Sequence, residues 1–318
     1  MKKDKKTIGV IVLIAIAAVA ALSLLLHLTD GFGLCRTRSK MRPFIKGGSY
    51  IAALFIEGVI EEENELYNQQ WLLDTIQELK DDSRNLGIAL FIDSPGGSVY
   101  ESDEAYLALQ DYRTTGRPIY VYQEHMAASG AYYISCAGTK IYANRNTLTG
   151  SIGVIFSTSF DMTGLLEKLG IKSETITSGS NKNMFSFNEP VTPEQRKIMQ
   201  DITDECYDQF VGIVAMNRNI PLFSLKKLAD GRLYTAKQAL ENNLIDAIGS
   251  SETMLDDMME EQFDGEDVPV IDFYYNYEPS LVEFLMNNLL GTEAASALRG
   301  AASRMQPRKP AYLYTDGR

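Results

Sequence analysis

From about residue 49 onward, short apolar runs alternate with amphipathic stretches, and few folds accept such a pattern. The runs SYIAALFIEGVI, LGIALFID and RPIYVYQE are rich in β-branched and aromatic residues, as buried strands are. Between them lie WLLDTIQELKDD and VYESDEAYLALQDYR, whose apolar residues recur at helical spacing. Alternating strands and helices are typical of βαβ units, so the sequence predicts an α/β fold with a mostly parallel, covered sheet.

The second half of the chain continues this alternation. KIYA, SIGVIFSTSF and SETITSG are predicted strands, and MTGLLEKLG is a predicted helix. TPEQ at residues 192–195 is a capping box with proline at the first helical position, and it predicts a long helix that runs to about Met216. The acidic stretch 251–265 is a predicted helix, VPVIDFYYNY a strand, SLVEFLMNNLLG a helix, and a mobile tail begins near Arg299.

The N-terminus predicts a membrane anchor. No charged residue occurs from Ile8 to Leu26, and 19 helical residues span about 28 Å, close to the thickness of a bilayer core. A cleaved signal peptide is the alternative, because AVA at 18–20 fits a cleavage site, but the apolar run continues beyond it. The short tail before the span favours a cytoplasmic N-terminus. We therefore divide the chain into a tail and anchor (1–29), a linker (30–47), a main domain (48–255) and a C-terminal strand, helix and tail (256–318).

The composition excludes several kinds of partner. The formal net charge of the 318 residues is −12, whereas a nucleic-acid backbone requires a basic surface. Cys35, Cys136 and Cys206 are widely spaced, and the chain has only two histidines. We therefore expect no nucleic acid, no disulfide framework, no metal site and no cofactor.

Two motifs at predicted strand ends carry candidate chemistry. DSPGGS, residues 93–98, pairs two glycines with a helix start, so backbone N–H groups there can bind an oxyanion. HMAASGAYYISCAG, residues 125–138, surrounds Ser129 with small residues at a second strand-to-helix junction. An ordinary tight turn remains the alternative for the first motif, and a simple helix cap remains the alternative for Ser129.

A serine nucleophile needs a base, and two residue types compete for that role. His27 ends the apolar N-terminal run, and His125 precedes Ser129 by four residues, where a helical arrangement is not expected. A histidine would also need an acid to orient it. Lys182 lies in TITSGSNKNMFSF, with no acid before Glu189, and burial among uncharged groups favours the neutral form that a lysine base requires.

Five motifs occur in order and together resemble those of signal peptide peptidase A, a family of serine–lysine membrane peptidases. They are DSPGGSVYES, MAASGAYYISCA, TLTGSIGV, SGSNKNMFS and DGRLYTAKQALENNLIDAIG. The resemblance runs from about Ser49 to Ser250 and implies a Clp protease/crotonase-like fold for the main domain. It further implies a single-pass protein of the bacterial cell membrane, with the catalytic domain outside the cytoplasm.

The resemblance also implies a role for five residues. Ser129 matches the nucleophile, Lys182 the general base, and Ser151 a residue that positions the lysine. The backbone N–H groups of Gly97 and Gly130 match the oxyanion donors. The single catalytic module is similar to the short form of the family, in which neighbouring protomers of a ring complete the dyad, so the implied partners are further copies of this chain and peptides such as signal peptide remnants.

Two departures from the family pattern are modest: Ala131 and Asn183 stand where the family often has glycine and aspartate. Two other functions use the same fold. One is acyl-thioester chemistry of the crotonase kind, which the predicted anchor and the absence of a basic nucleotide patch disfavour. The other is a non-catalytic membrane scaffold, which the intact Ser129 and Lys182 disfavour.

Overall fold

The computed structural model describes residues 48–156, 160–184 and 186–277, and the backbone of 311–313. The first half contains, in chain order, β1 (Tyr50–Glu57), α1 (Gln69–Asp81), β2 (Asn85–Ser94), β3 (Gly96–Ser98), α2 (Val99–Arg113), β4 (Ile119–Ala128), α3 (Gly130–Ser135), β5 (Lys140–Ala143) and β6 (Leu148–Gly150). The second half contains α4 (Thr163–Lys168), α5 (Pro193–Arg218), α6 (Leu222–Leu225), β7 (Leu233–Thr235), α7 (Ala236–Glu241), β8 (Ala247–Ile248), α8 (Ser251–Gln262), β9 (Val270–Phe273) and β10 (Ala311–Leu313).

Within the described chain, eight strands form one sheet in the order β7–β6–β4–β2–β1–β9, with β5 beside β4 and β8 beside β5. Every pairing in it is parallel except that of β6 with β7. The first half of β4 pairs with β5 and its last three residues pair with β6, so the sheet divides where β4 ends. The prediction of an α/β fold with a mostly parallel sheet is confirmed.

Both faces of the sheet are covered, which explains why its strands read as unbroken apolar runs. Leu54 and Ile56 of β1 belong to the larger buried cluster, together with residues of α1, α2, α3 and α5. Ile51, on the opposite face of the same strand, packs in a second cluster with Met254 and Met258 of α8. Burial of each such side chain contributes about 1.5–3 kcal/mol, so the centre of the sheet is the most strongly stabilised part of the chain.

Two predicted strands are wrong. β6 ends at Gly150. Residues 151–156 form no strand, and among them only Ile155 takes part in an isolated β-bridge. Residues 173–179, SETITSG, form no strand, and Ile176 within them is 93% exposed. Strand propensity reflects a fit to a pleated, half-buried surface, and these residues have left the sheet that would provide it.

The long helix α5 begins at the predicted capping box. Thr192 Oγ1 accepts a hydrogen bond from the Gln195 N–H, and the Gln195 side chain accepts one from the Thr192 N–H. Pro193 occupies the first turn, where its missing N–H costs nothing. The helix continues to Arg218, two residues past the predicted end, and Asn219 stops it in the left-handed conformation at φ 52°.

Several further predictions concern the N-terminal and C-terminal parts of the sequence. The N-terminal span and the helix SLVEFLMNNLLG lie outside the described residues, and the four-part division of the chain remains a prediction. Among the helices that are described, none combines the length and the apolar character needed to span a bilayer. Within the predicted tail, residues 311–313 form β10, which pairs antiparallel with β3 and lies against α2 and α3.

Candidate active site

Ser129 occupies the turn between β4 and α3, where the chain passes from strand to helix without a loop. Its φ of 56° and ψ of −117° are strained for an L-residue, at a cost of about 1–3 kcal/mol. The Ser129 N–H donates to the Gly150 carbonyl at 2.7 Å, and the Tyr133 N–H donates to the Ser129 carbonyl at 2.9 Å. A strained turn of this kind presents a serine hydroxyl at the end of a sheet, as a nucleophile requires.

The Ser129 hydroxyl is buried but unpaired. The residue is 1% exposed, and its Oγ has no hydrogen-bond partner among the described residues. Buried hydroxyl groups nearly always have a partner, so the unpaired Ser129 hydroxyl is a candidate functional group. His125 is not that partner, because its Nδ1 lies 2.8 Å from Asp93 Oδ2 and its side chain is exposed.

Cys136, directly after α3, is the cysteine nearest to Ser129 in sequence. It is fully buried, and burial raises the pKa of its thiol to about 12. The thiolate is the reactive form of cysteine, so this side chain is inert at neutral pH. Ser129 is therefore the group at this junction that is suited to attack a carbonyl.

Gly97 lies at the centre of β3, between Ile60 on one edge and β10 on the other. The Ile60 N–H donates to the Gly96 carbonyl at 2.9 Å, and the Ser98 N–H donates to the Ile60 carbonyl at 2.8 Å. Because backbone groups alternate in direction along a strand, the Gly97 N–H faces the opposite edge. A Cβ at position 97 would lie 1.8 Å from the Ile60 carbonyl oxygen, so only glycine fits here.

The other two predicted site residues flank the nucleophile. Gly130 is the first residue of α3, so its N–H has no partner within the helix. Ser151 is 6% exposed and follows Gly150, the residue whose carbonyl accepts the Ser129 N–H. Gly150 and Ser151 both have positive φ, 84° and 51°. Gly150 was not among the predicted site residues, although the motif TLTGSIGV contains it.

A cavity of 540 Å³ opens beside Ser151. Its walls are residues of the 151–155 stretch, of α5 and of the 229–231 loop. Asp204 and Asp230 contribute carboxylates to these walls, and Asp230 is paired with Arg232. A side chain that entered this cavity from outside could reach the Ser151 end of the site.

Lys182 differs from the other four predicted residues, which are all buried. It is exposed in a turn where its N–H donates to the Gly179 carbonyl at 3.2 Å, and no described residue forms an ion pair or side-chain hydrogen bond with it. Since Ser129 Oγ is unpaired, it is not hydrogen-bonded to Lys182 within the chain. The structure thus brings the candidate nucleophile, both candidate oxyanion donors and Ser151 to one end of the sheet, whereas Lys182, the candidate base, makes no hydrogen bond to Ser129.

Asp93 is a site residue that sequence reasoning missed. Among the described residues, one group of three side chains has potential metal-ligand atoms that all lie within 4.8 Å of one another, as the ligands of a metal ion do. The group consists of Asp93, Glu124 and His125. Burial, followed by the charges of Asp93 and Glu57, raises the pKa of Glu124, and the hydrogen bond to Asp93 raises the pKa of His125. The only sequence signal for Asp93 was its place at the start of DSPGGS.

Comparison with known proteins places this site within a peptidase family. Residues 111–263, which include Ser129 and Lys182, match the model of peptidase family S49. The chain is 40% identical over 219 residues to a protein of Enterococcus faecium that is provisionally named a signal peptide peptidase SppA, covering 67% of this chain and 63% of that protein. It is 30% identical over 220 residues to a provisionally named protease of Methanocaldococcus jannaschii, covering 66% of this chain and 70% of that protein.

A third relative is Protease 4 of Haemophilus influenzae, which is 30% identical over 203 residues, covering 63% of this chain and 33% of that protein. The match therefore spans less than two thirds of the length of the Enterococcus and Haemophilus proteins.

Proposed function

Because the chain belongs to peptidase family S49, the family of signal peptide peptidase A, we propose that it is a membrane-anchored serine endopeptidase. It hydrolyses remnant signal peptides and other hydrophobic segments with a Ser129–Lys182 dyad, on a fold of the Clp protease/crotonase type. The observation that carries this proposal is the strained Ser129 turn, which holds an unpaired hydroxyl beside the glycine-containing strand β3.

The proposed reaction has two halves. Ser129 Oγ attacks the carbonyl carbon of the peptide bond while neutral Lys182 takes the hydroxyl proton, and the Gly97 and Gly130 N–H groups bind the resulting oxyanion. The lysine ammonium then protonates the leaving amine as the C–N bond breaks, which leaves an ester on Ser129. A water molecule, deprotonated by the same lysine, hydrolyses the ester, and Ser129 regains its proton.

A second copy of the chain provides the lysine in this proposal. Lys182 is exposed and unpaired among the described residues, so it is available to another chain. In the chain before it, the apolar side chains of Phe160, Leu169 and Ile176 are at least 60% exposed and would be covered by a neighbour. The cavity beside Ser151 admits a side chain from outside, which supports Ser151 as the residue that positions the neighbour's lysine.

The substrate would bind as an added strand. The Gly97 edge of β3 faces away from Ile60, and β10 already pairs with this edge in an antiparallel register. A peptide in the same place would present its carbonyl groups to the Gly97 N–H, and main-chain pairing accepts many sequences. This mode of binding suits hydrophobic segments that differ in sequence.

The uncharged run from Ile8 to Leu26 supports a position of the protein at the membrane. In this proposal the catalytic domain lies on the extracytoplasmic side.

The test is covalent labelling combined with product analysis. A fluorophosphonate probe should label Ser129 of the full-length protein in detergent micelles, and Ser129→Ala should remove the label. The same preparation should cleave synthetic signal peptides within their apolar segment, as mass spectrometry of the products would show. An unlabelled Ser129 in an assembled, folded protein would contradict the proposal.

A further inference from the structure

We propose that Asp93 is a positioning residue, whose carboxylate holds the strand that bears the nucleophile in register with the strand that bears the oxyanion donor. The proposal rests on the proposed peptidase function. Asp93 is the penultimate residue of β2, and only Ser94 and Pro95 separate it from β3. Any displacement of Asp93 is therefore transmitted directly to Gly97.

The need for such a residue comes from an irregularity in β4. Ile92 of β2 pairs with Gln123, but Ser94 pairs with Ala127, so two steps along β2 correspond to four steps along β4. The extra residues bulge out of the ladder and lose their regular partners on β2. The bulge begins six residues before Ser129 and ends two residues before it, so its shape determines where the nucleophile lies.

The Asp93 carboxylate supplies the partners that the ladder lacks. Its Oδ1 accepts the Met126 N–H at 3.1 Å, and its Oδ2 lies 2.8 Å from His125 Nδ1. The Asp93 main chain is fixed from the other side, because its carbonyl accepts the Gly58 N–H at 3.0 Å. One residue thereby connects β4, β2 and the end of β1.

The two candidate oxyanion donors lie on different elements, which is why this connection matters for the reaction. The Gly97 N–H belongs to β3, and the Gly130 N–H belongs to the helix that follows β4. Both must lie about 2.7–3.1 Å from one oxyanion, so a small shift between the strands weakens at least one bond. The Ser94 hydroxyl, which accepts the Gly96 N–H at 3.0 Å, stiffens the short link between Asp93 and β3.

Asp93 also belongs to the group with Glu124 and His125 that could hold a metal ion. Both of its oxygens, however, are already used by the Met126 N–H and the His125 ring. This arrangement favours a role in positioning over cation binding, and the experiment includes a chelator to separate the two.

The experiment compares two substitutions at position 93 in the full-length, detergent-solubilised protein. Asp93→Ala removes both acceptors and should lower kcat about tenfold or more, with KM for a fluorogenic peptide changed less than about twofold. Asp93→Asn keeps an oxygen for the Met126 N–H, and its amide can donate to neutral His125, so it should retain most of the wild-type kcat. Glu124→Gln, which alters the neighbouring carboxylate, is the matched control and should leave kcat unchanged.

A second readout applies even if Asp93→Ala does not fold. In Asp93→Asn the amide faces a ring nitrogen that gains a proton at low pH, so its kcat relative to wild type should fall as the pH decreases. The additional substitution His125→Ala should remove that extra fall. Asp93 and Glu124 are the charged groups that act on His125, so Glu124→Gln is included at each pH.

Three results would overturn the inference. The first is a folded Asp93→Ala variant with wild-type kcat. The second is an Asp93→Asn variant as impaired as Asp93→Ala, because the loss of kcat would then be due to the negative charge of the carboxylate. The third is loss of wild-type activity in chelator that a divalent cation restores and Glu124→Gln abolishes. A wild-type protein without peptidase activity or probe labelling would instead contradict the proposed function itself.

Discussion

Around Ser129 the chain is packed on every side: Ala127, Ala128, Ala131 and Tyr132 are completely buried between the sheet and its helices. The Lys182 segment, which we define as the described residues between 160 and 191, is different. Its α4 contains no buried residue. Apolar side chains along it are 38% to 93% exposed: Phe160, Met162, Leu165, Leu169, Ile171, Ile176 and Phe187.

This difference indicates that the two regions are stabilised in different ways. One chain suffices to hold a strained serine in place, because the surrounding core offsets the cost of the strain. The Lys182 segment has no such core of its own, and its exposed apolar surface is of the kind that another chain covers. In the proposed enzyme, folding prepares the nucleophile and assembly delivers the base.

The largest expected effect comes from the base itself. Lys182→Ala and Lys182→Arg should both lower kcat to about a thousandth of wild type or less, the second because a guanidinium keeps its proton at any usable pH. Lys172→Ala, in the same exposed segment, is the control and should remain active. A fluorogenic peptide assay measures kcat. Substantial activity in Lys182→Arg would exclude lysine as the base.

Mixing two inactive variants tests whether the base comes from another chain. Ser129→Ala and Lys182→Ala are each inactive, but a random equal mixture in one ring gives one interface in four with both groups intact, so about a quarter of wild-type activity should return. The two variants are co-expressed, mixed assemblies are verified by native mass spectrometry, and peptide hydrolysis is measured. Verified mixed assemblies that stay at background would place both groups within one chain.

A matched pair of leucines compares the two regions by stability. Leu54→Ala in β1 should lower the free energy of unfolding by about 2–5 kcal/mol, because it opens a cavity in a fully buried position. Leu169→Ala, at a residue 62% exposed, should change it by less than about 0.5 kcal/mol in the dissociated chain. Denaturant unfolding of the isolated chain measures both values. Equal losses would mean that the Lys182 segment is buried within a single chain after all.

His125 should have the smallest effect, although it lies close to Ser129 in sequence. His125→Ala should keep at least about a tenth of wild-type activity, because its ring contacts Asp93 rather than the nucleophile. The hydrogen bond to Asp93 raises the pKa of His125, so this pair stabilises the fold below the ordinary histidine value of about 6.5. That contribution is lost as pH rises through the folded-state value. Melting temperatures of wild type and His125→Ala should therefore differ at pH 5.5 and converge by pH 8; a constant difference would refute this account.

The sequence predicted most of the fold because the elements around Ser129 are determined locally. α2 matches its predicted segment, and α5 begins at its predicted capping box. The strand predicted at SETITSG failed because β propensity was read without knowing whether a neighbouring strand existed. The short strand β10 was missed for the complementary reason, since its partner β3 lies more than 200 residues earlier in the chain.

For the candidate site residues, the type of residue was more informative than the spacing between residues. Ser129 directly follows β4 and Gly97 lies three residues past the end of β2, two strands that periodicity locates, and both residues occupy backbone positions that restrict the residue type. The link from Asp93 to Met126 depends on a bulge in β4, and no pattern in a single strand reveals a bulge. The exposure of Lys182 likewise depends on where the chain goes after β6.

The pairing of β10 with β3 has a consequence for the apparent affinity of any peptide that binds this edge. A strand edge accepts one partner at a time, so an incoming peptide can pair with the Gly97 edge only while residues 311–313 are away from it. Residues 311–313 are tethered to the same molecule, and a tethered competitor acts at an effective concentration of roughly millimolar order, whatever the dilution of the protein. The apparent affinity for any peptide is then its intrinsic affinity reduced by the fraction of time that the edge is vacant. Weakly pairing peptides are excluded by this competition, and dilution does not relieve it.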